Sequence, residues 1–501
     1  MQRTQLIALT ALICLASFFL FWQLSHDPYL RGADAYYYAL QADHWAKTGR
    51  VKIPDSSPLH VIEGMCIKSG LTAETAHRVV CSAALLCTTL SLLFFGLKNK
   101  RPLEGLVLSG WCLLSPSLLF TAIEFPKMFV LLTLIPVWFY FALQKSQQWY
   151  LVFPFIVLGF FMHRAAWPLG ILFGSVAVVM HLRQKIRWPL FFAIAVLSAV
   201  LLSLYFYLVK DRLTLLDLMR LLSESYQPGL ITLFKQPALP VIIKLEIVAA
   251  LVMVVCRSVI TATRGQNKSQ LLLLLALALP AIVPLGEAEV FGIGERYAIL
   301  LPFVCMTALS FMQHQATRVA HSASRVPHSA AAVLVLGITG LFPFRLDYSH
   351  PASLDPDFKA YETITREIQG QAIPMLIAHR GLNFYYKSRT KKESFAYEPE
   401  GHWDKKRIWR VIYKIRPEEL NSHLADQCLW DTGLVRLLPA PDYAIIREDC
   451  WADFRLKIDR ENNPDLYLRV FKTYLNPSQK RPAFLYPRHQ GDEQGEFSSR
   501  L

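Results

Sequence analysis

The sequence predicts an α-helical polytopic membrane protein of about eleven transmembrane helices with a small C-terminal α/β extracytoplasmic domain. Three observations carry this expectation. Hydrophobic residues make up 53% of the 501 residues and charged residues only 18%, which is low in charge for a soluble chain of this length. The apolar residues gather in long blocks. After Arg345 the blocks stop, and the chain turns polar and rich in proline and charge.

Length and loop charge place spans at residues 5–24, 77–97, 105–123, 126–143, 149–162, 165–182, 188–209, 238–256, 270–286, 297–313 and 330–345. The first run, Leu6 to Leu24, is followed by no A-x-A-like site, and Ile13 before Cys14 is too large for a lipobox. It reads as an uncleaved first span. With the N-terminus inside, the cytoplasmic loops are Lys98 to Arg101, the Lys145 turn, Arg183 to Arg187, Arg257 to Lys268 and Arg318 to Arg325. All are basic, as the positive-inside rule requires. The net charge of +14 is thereby assigned to topology, and nucleic acid is set aside as a partner.

The resulting domain plan is a multi-span region over 1–345, with a first outer loop at 25–76. An extracytoplasmic α/β domain follows over 346–475, and a Pro-, Gly- and charge-rich tail over 476–501 reads as flexible. In the first loop, a helix opens near Asp34 and ends at Gly49, with Asp34, Tyr38, Gln41 and Trp45 on one face. A second helix runs from Pro58, with Ser57 as cap, to Gly70. In the C-terminal domain, Ala372–Ala378, Ile408–Ile412 and Tyr443–Ile446 read as strands, and Phe358–Ile368 and Pro417–Leu424 as helices. Of the nine cysteines, Cys428 and Cys450 lie in the polar outer region and are the disulfide candidates.

The run Tyr150–Met162 is about 20 Å long as a helix, against about 30 Å of hydrocarbon. His163-Arg164 should therefore lie below the outer surface, and Glu124 and Lys127 similarly. Charges at that depth must face protein or a water-filled cavity. Asp34, Glu124, Lys127, His163, Arg164 and Arg296 all fall on the outer side of this topology. Carboxylates gathered with cations suit a reaction between a hydroxyl and a lipid-linked sugar phosphate. A carboxylate takes the acceptor proton, and cations stabilise charge on the departing phosphate.

Three short motifs then stand in order. The first is Gly32-Ala33-Asp34-Ala35-Tyr36-Tyr37-Tyr38, followed by Thr48-Gly49 and Pro54-Asp55-Ser56-Ser57-Pro58. The second is Ser115-Pro116-Ser117 leading to Glu124-Phe125-Pro126-Lys127. The third is Glu295-Arg296-Tyr297 with Pro302. Over residues 1 to about 345 this organisation resembles the GT-C fold membrane glycosyltransferases, the superfamily of the dolichyl-phosphate-mannose–protein mannosyltransferases and aminoarabinose transferases. The resemblance implies a polyprenyl-phosphate sugar donor and a lipid, glycan or protein acceptor, with transfer on the extracytoplasmic side. It implies Asp34 as catalytic carboxylate and Glu124 as a second acidic site residue. Lys127 and Arg296 are then the phosphate contacts. His163 and Arg164 join the substrate-binding set from depth and charge, and Tyr37 and Tyr38 as candidate sugar-stacking rings. The first motif has a single Asp rather than an Asp-x-Asp or Asp-Glu pair, so a divalent cation, Mg2+ or Mn2+, at Asp34 and Glu124 stays open.

Each residue also has a structural reading. Asp34 suits a helix-start carboxylate. Glu124 and Lys127 suit an i, i+3 ion pair closing a turn. His163-Arg164 suit snorkelling turn residues, and Glu295-Arg296 a helix-start pair. Asp55 reads as a turn residue, Glu287 and Glu289 as solvated loop charges, and Tyr36 to Tyr38 as interface anchors. Other functions stay open beside glycosyl transfer: a transporter or flippase of lipid-linked saccharide, a ligase or polymerase of glycan chains, or a membrane-anchored binding protein. The one unblocked glycosylation site, Asn267-Lys268-Ser269, falls in a cytoplasmic loop. This favours a bacterial inner membrane, with the C-terminal domain periplasmic.

Overall fold

The computed structural model describes residues 11, 14, 29–30, 32, 35–52, 55, 57–98, 102–143, 149–163, 166–181, 188–209, 241–263, 293–312, 358–370, 375–378, 380–395, 404–413, 435–437 and 443–450. They fall into two compact units. Unit 1 comprises Met1–Arg31 and Gln41–Pro351; unit 2 comprises Gly32–Leu40 and Ala352–Leu501. The later division falls between Pro351 and Ala352. Gly32–Leu40, part of the first loop in the domain plan, groups with unit 2.

Two helices form the first-loop segment. Helix α1 covers Ala35–Thr48 and ends because Gly49 takes φ 73°, a left-handed turn that glycine adopts without steric cost. Gln41 is 2% exposed, and its Oε1 accepts the Lys52 N–H at 2.8 Å, folding the following chain back on the helix. Helix α2 covers Leu59–Lys68. Pro58 stands at its N-cap position, and the Ser57 hydroxyl accepts the Leu59 N–H at 3.3 Å. Gly70, at φ 105°, follows its end.

The remaining described part of unit 1 is helical. Helix α3 covers Ala73–Lys98, α4 Pro102–Leu114 and α5 Pro116–Glu124. The run 105–123, placed as one span, is bent: α4 and α5 meet at 49°. The cause is local. Ser115 is extended and its side chain caps the Leu118 N–H, while Pro116 occupies the first turn, where its missing N–H is harmless. Helix α6, Pro126–Leu131, continues through a 3-10 turn, Leu132–Leu134, into α7, Ile135–Leu143. Then come α8 (Val152–Met162), α9 (Ala166–His181), α10 (Trp188–Val209), α11 (Val241–Thr263) and α12 (Ile293–Met312).

Among the described residues, Ala73–Lys98 is the one helix long and apolar enough to cross a membrane by itself, and the bent pair meets the same criterion jointly. Helices α3 and α4 pack at very short range. Gly96 and Gly105 face each other so closely that a Cβ on Gly105 would lie 2.9 Å from Gly96 Cα. Ser109 Oγ donates to Thr89 O at 3.1 Å across the same seam. Trp111, Trp138, Phe129, Phe139 and Phe173 fill the interior. The expected spans at 5–24, 270–286 and 330–345 lie wholly or almost wholly outside the described residues.

Unit 2 is α/β. Helix α13 (Phe358–Gly370) precedes β1 (Met375–Ile377), α14 (Arg380–Thr390), β2 (Ser394–Phe395), β3 (Ile408–Tyr413), β4 (Val435–Leu437) and β5 (Tyr443–Arg447). The sheet order is β2-β1-β3-β5-β4. Strand β1 runs parallel to both β2 and β3, whereas β5 pairs antiparallel with β3 and β4. The expected strand Ala372–Ala378 is shorter as β1, whereas Ile408–Ile412 and Tyr443–Ile446 each extend by one residue as β3 and β5. The expected helix Pro417–Leu424 lies outside the described residues, and α14, β2 and β4 escape the sequence pattern because each is short or polar. Buried Arg410 on β3 makes a two-pronged pair with Glu448, at 2.9 and 2.7 Å. Tyr36 and Tyr37 of α1 are 2% and 6% exposed. Their rings meet Tyr385 and Phe384 of α14, each at 5.1 Å. This packing is why Gly32–Leu40 groups with unit 2.

Candidate functional site

In unit 1, the residues just before α2 build a charged cluster. Asp55 Oδ1 accepts the Ser57 N–H at 2.9 Å, the turn expected from a Pro/Ser-rich stretch. Its Oδ2 does more: it lies 3.3 Å from His60 Nε2 and forms an ion pair with Lys127. The side chains are 7% exposed at Asp55, 0% at His60 and 15% at Lys127. Asp55 is thus the expected turn residue and also a member of a buried charged cluster. Burial pushes its carboxyl upward, but the His60 hydrogen bond and the charges of Lys127 and His60 outweigh it. They hold Asp55 well below the usual carboxylate range. Against an ionised Asp55, His60 Nε2 is the donor.

One turn further along α2, Glu63 is fully buried, and its Oε1 lies 2.6 Å from His77 Nδ1. Glu63 Oε2 is buried with no hydrogen-bond partner among the described residues. His77 Nε2 is 4.0 Å from Cys81 Sγ, which in turn lies 3.9 Å from Ala122 O. So α2 is attached to α3 through a carboxylate–imidazole contact and to α6 through the Asp55–Lys127 pair. A third buried carboxylate, Glu246 of α11, accepts from Trp111 Nε1 at 2.8 Å, Ser117 N at 2.9 Å and Ser117 Oγ at 2.6 Å. It caps the N-terminus of α5 at the bend, where backbone N–H groups lack helical partners.

The expected site residues are distributed as follows. Glu124 is buried as the last residue of α5, and Lys127 sits in the first turn of α6. His163 ends α8 in an extended conformation, half-buried, its N–H bonded to Gly159 O at 3.0 Å. Tyr37 and Tyr38 are buried in unit 2, with little ring surface exposed. Asp34 and Arg164 lie outside the described residues. Arg296 belongs to α12, but its side chain lies outside them. Cys428 also lies outside them, and the proposed pairing with it. Cys450 Sγ is 3.5 Å from Asp449 Oδ1.

Sequence reasoning did not single out His60, Glu63, His77 or Glu246 as site residues. Glu246 carried a usable signal, a lone carboxylate inside the apolar run 238–256. Among the described residues, no group of three or more His, Cys, Asp or Glu side chains is arranged to hold a metal ion. Chemically, the cluster offers a buried, ionised carboxylate holding a cation, with an imidazole beside it. A carboxylate so strongly stabilised in its ionised form is a weak proton acceptor. It suits positioning Lys127 better than deprotonating a hydroxyl. In comparisons with known proteins, no family model and no curated protein matches the chain.

Proposed function

We propose that the chain is an integral membrane glycosyltransferase that moves a sugar from a polyprenyl-phosphate donor to a lipid, glycan or protein acceptor. The reaction takes place on the extracytoplasmic side of a bacterial inner membrane. The observation that carries this reading is the buried meeting of Asp55, from the first outer loop of the topology, with Lys127, from the second, beside His60. The membrane reading is further supported by exposed apolar faces. On α10, Phe192, Val196, Val200 and Leu204 recur every four residues and are 59%, 63%, 59% and 46% exposed. On α11, Val241, Leu245, Val248 and Val252, spaced by four, three and four residues, form a second exposed apolar stripe. Such stripes are costly in water and natural against lipid.

In this mechanism the acceptor hydroxyl oxygen attacks the anomeric carbon, and the bond from that carbon to the phosphate oxygen breaks. The electron pair leaves with the polyprenyl phosphate, and the hydroxyl proton passes to Asp34. Lys127 contacts the phosphate and stabilises its growing charge. Asp55 holds the Lys127 ammonium in position. The direct test is transfer from a polyprenyl-phosphate sugar by Asp34→Asn protein. Transfer should be abolished with expression and membrane insertion unchanged, and full activity in this variant would refute the role of Asp34 as base.

A second reading, a flippase of lipid-linked saccharide, draws support from the proline-started break between α4 and α5, a feature of transporter helices. Sealed vesicles separate the two. Movement of labelled lipid-linked sugar across the bilayer without a glycosylated product favours the flippase.

A further inference from the structure

The sheet of unit 2 carries a charge pattern that glycosyl transfer does not use. Strands β2, β1 and β3 are parallel, so their N-terminal ends share one edge. Lys391 and Lys392 lead into β2, and Lys406 and Arg407 lead into β3. The register sets Ser394 and Trp409 on either side of Leu376, so the strands that the two basic pairs lead into stand two strand spacings, about 10 Å, apart. All four residues are exposed.

Among the described residues, two of the nearby acids are engaged elsewhere. Asp404 Oδ1 accepts the backbone N–H of Lys406 at 3.1 Å. Asp449 is taken by Arg447, at 2.6 and 2.7 Å. Glu393 is exposed beside Lys392. Among the described residues, no ion pair engages the side chains of Lys391, Lys392, Lys406 or Arg407. The end of α14 adds Lys387 and exposed Arg389 just upstream. Like charges gathered at one edge repel, and an anionic partner relieves the repulsion.

We propose that this edge of unit 2 binds an anionic phospholipid surface through Lys391, Lys392, Lys406 and Arg407. Strands about 10 Å apart spread the four cations over a width that several neighbouring headgroups engage together. The inference rests on the membrane reading above, because a chain held in a bilayer keeps unit 2 at high effective concentration beside headgroups.

The test is hydrogen–deuterium exchange on the full chain in nanodiscs of phosphatidylcholine, alone or mixed with phosphatidylglycerol. Peptides covering 391–395 and 405–413 should exchange more slowly with phosphatidylglycerol present. The protection should vanish at about 1 M salt, where the screening length is about 3 Å. Each cation neutralised among Lys391→Gln, Lys392→Gln, Lys406→Gln and Arg407→Gln should weaken the association about fivefold, with exchange of β5 unchanged as the folding control. Equal exchange in the two lipid mixtures overturns the proposal. Equal protection by inorganic phosphate in phosphatidylcholine discs also overturns it, since the edge would then bind small anions. A chain that fails to enter nanodiscs overturns the membrane reading and this inference together, an outcome distinct from insertion without lipid-dependent protection.

Discussion

Lys127, in the first turn of α6, pairs with Asp55, ahead of α2, across 72 residues of sequence. The pair closes the segment that carries His60 and Glu63 onto the helices behind it. Removing either partner leaves the other charge largely buried. Asp55→Ala or Lys127→Ala should each destabilise the protein by about 3 kcal/mol, measured by thermal unfolding in detergent. The double substitution should cost clearly less than the sum of the two, and strict additivity would argue against the pair.

The same pair sets a pH dependence. The Asp55 carboxyl is held below its ordinary range in the folded protein, so its contribution is fully present above the unfolded aspartate value of about 3.9. It is lost progressively as the pH falls below that value toward the folded one. Wild-type protein should therefore lose stability more steeply in acid than Asp55→Asn protein, and parallel acid-unfolding curves would count against it.

Glu246 holds the bend. Glu246→Ala leaves the Ser117 N–H and the Trp111 indole N–H without their acceptor inside the helical packing. A loss of about 2–4 kcal/mol is expected from stranded buried donors. Glu246→Gln retains one carbonyl acceptor and should lose less. Equal melting of wild type and Glu246→Ala would show that the carboxylate contributes nothing to the break.

In unit 2, Arg410→Lys should not rescue the fold. Arg410 meets Glu448 with two nitrogens, and both side chains are nearly fully buried. An ammonium supplies one point contact where the guanidinium supplies a fork. Both Arg410→Ala and Arg410→Lys should therefore expose the β3 and β5 backbone to exchange, the alanine variant more. Wild-type protection in the lysine variant would contradict this.

What was legible in the chain was its local chemistry. Gly49 and Gly70 marked helix ends because left-handed turns favour glycine, and apolar runs outlined α3 and α8 through α10. Ser115-Pro116 carried the signature of a helix start, but the unbroken apolar run around it concealed the bend. Tertiary partners could not be read. Glu63 and His77 each look like a single polar residue in an ordinary helix, and only the packing of α2 on α3 turns them into a buried contact. Asp55 read as a turn residue and is one. Its second oxygen, facing Lys127, depends on geometry that no local pattern encodes.

The close seam between α3 and α4 bears on how the protein is made. Gly96 and Gly105 are separated by only a brief reversal of the chain, so their approach requires little loop entropy. A helical hairpin of such low contact order can assemble while later residues are still being synthesised. It would then offer Glu246 a preformed docking surface. Replacing Gly105 with alanine would force the two backbones apart. The damage should show first in the yield of newly made protein, before any defect appears in molecules that have already matured.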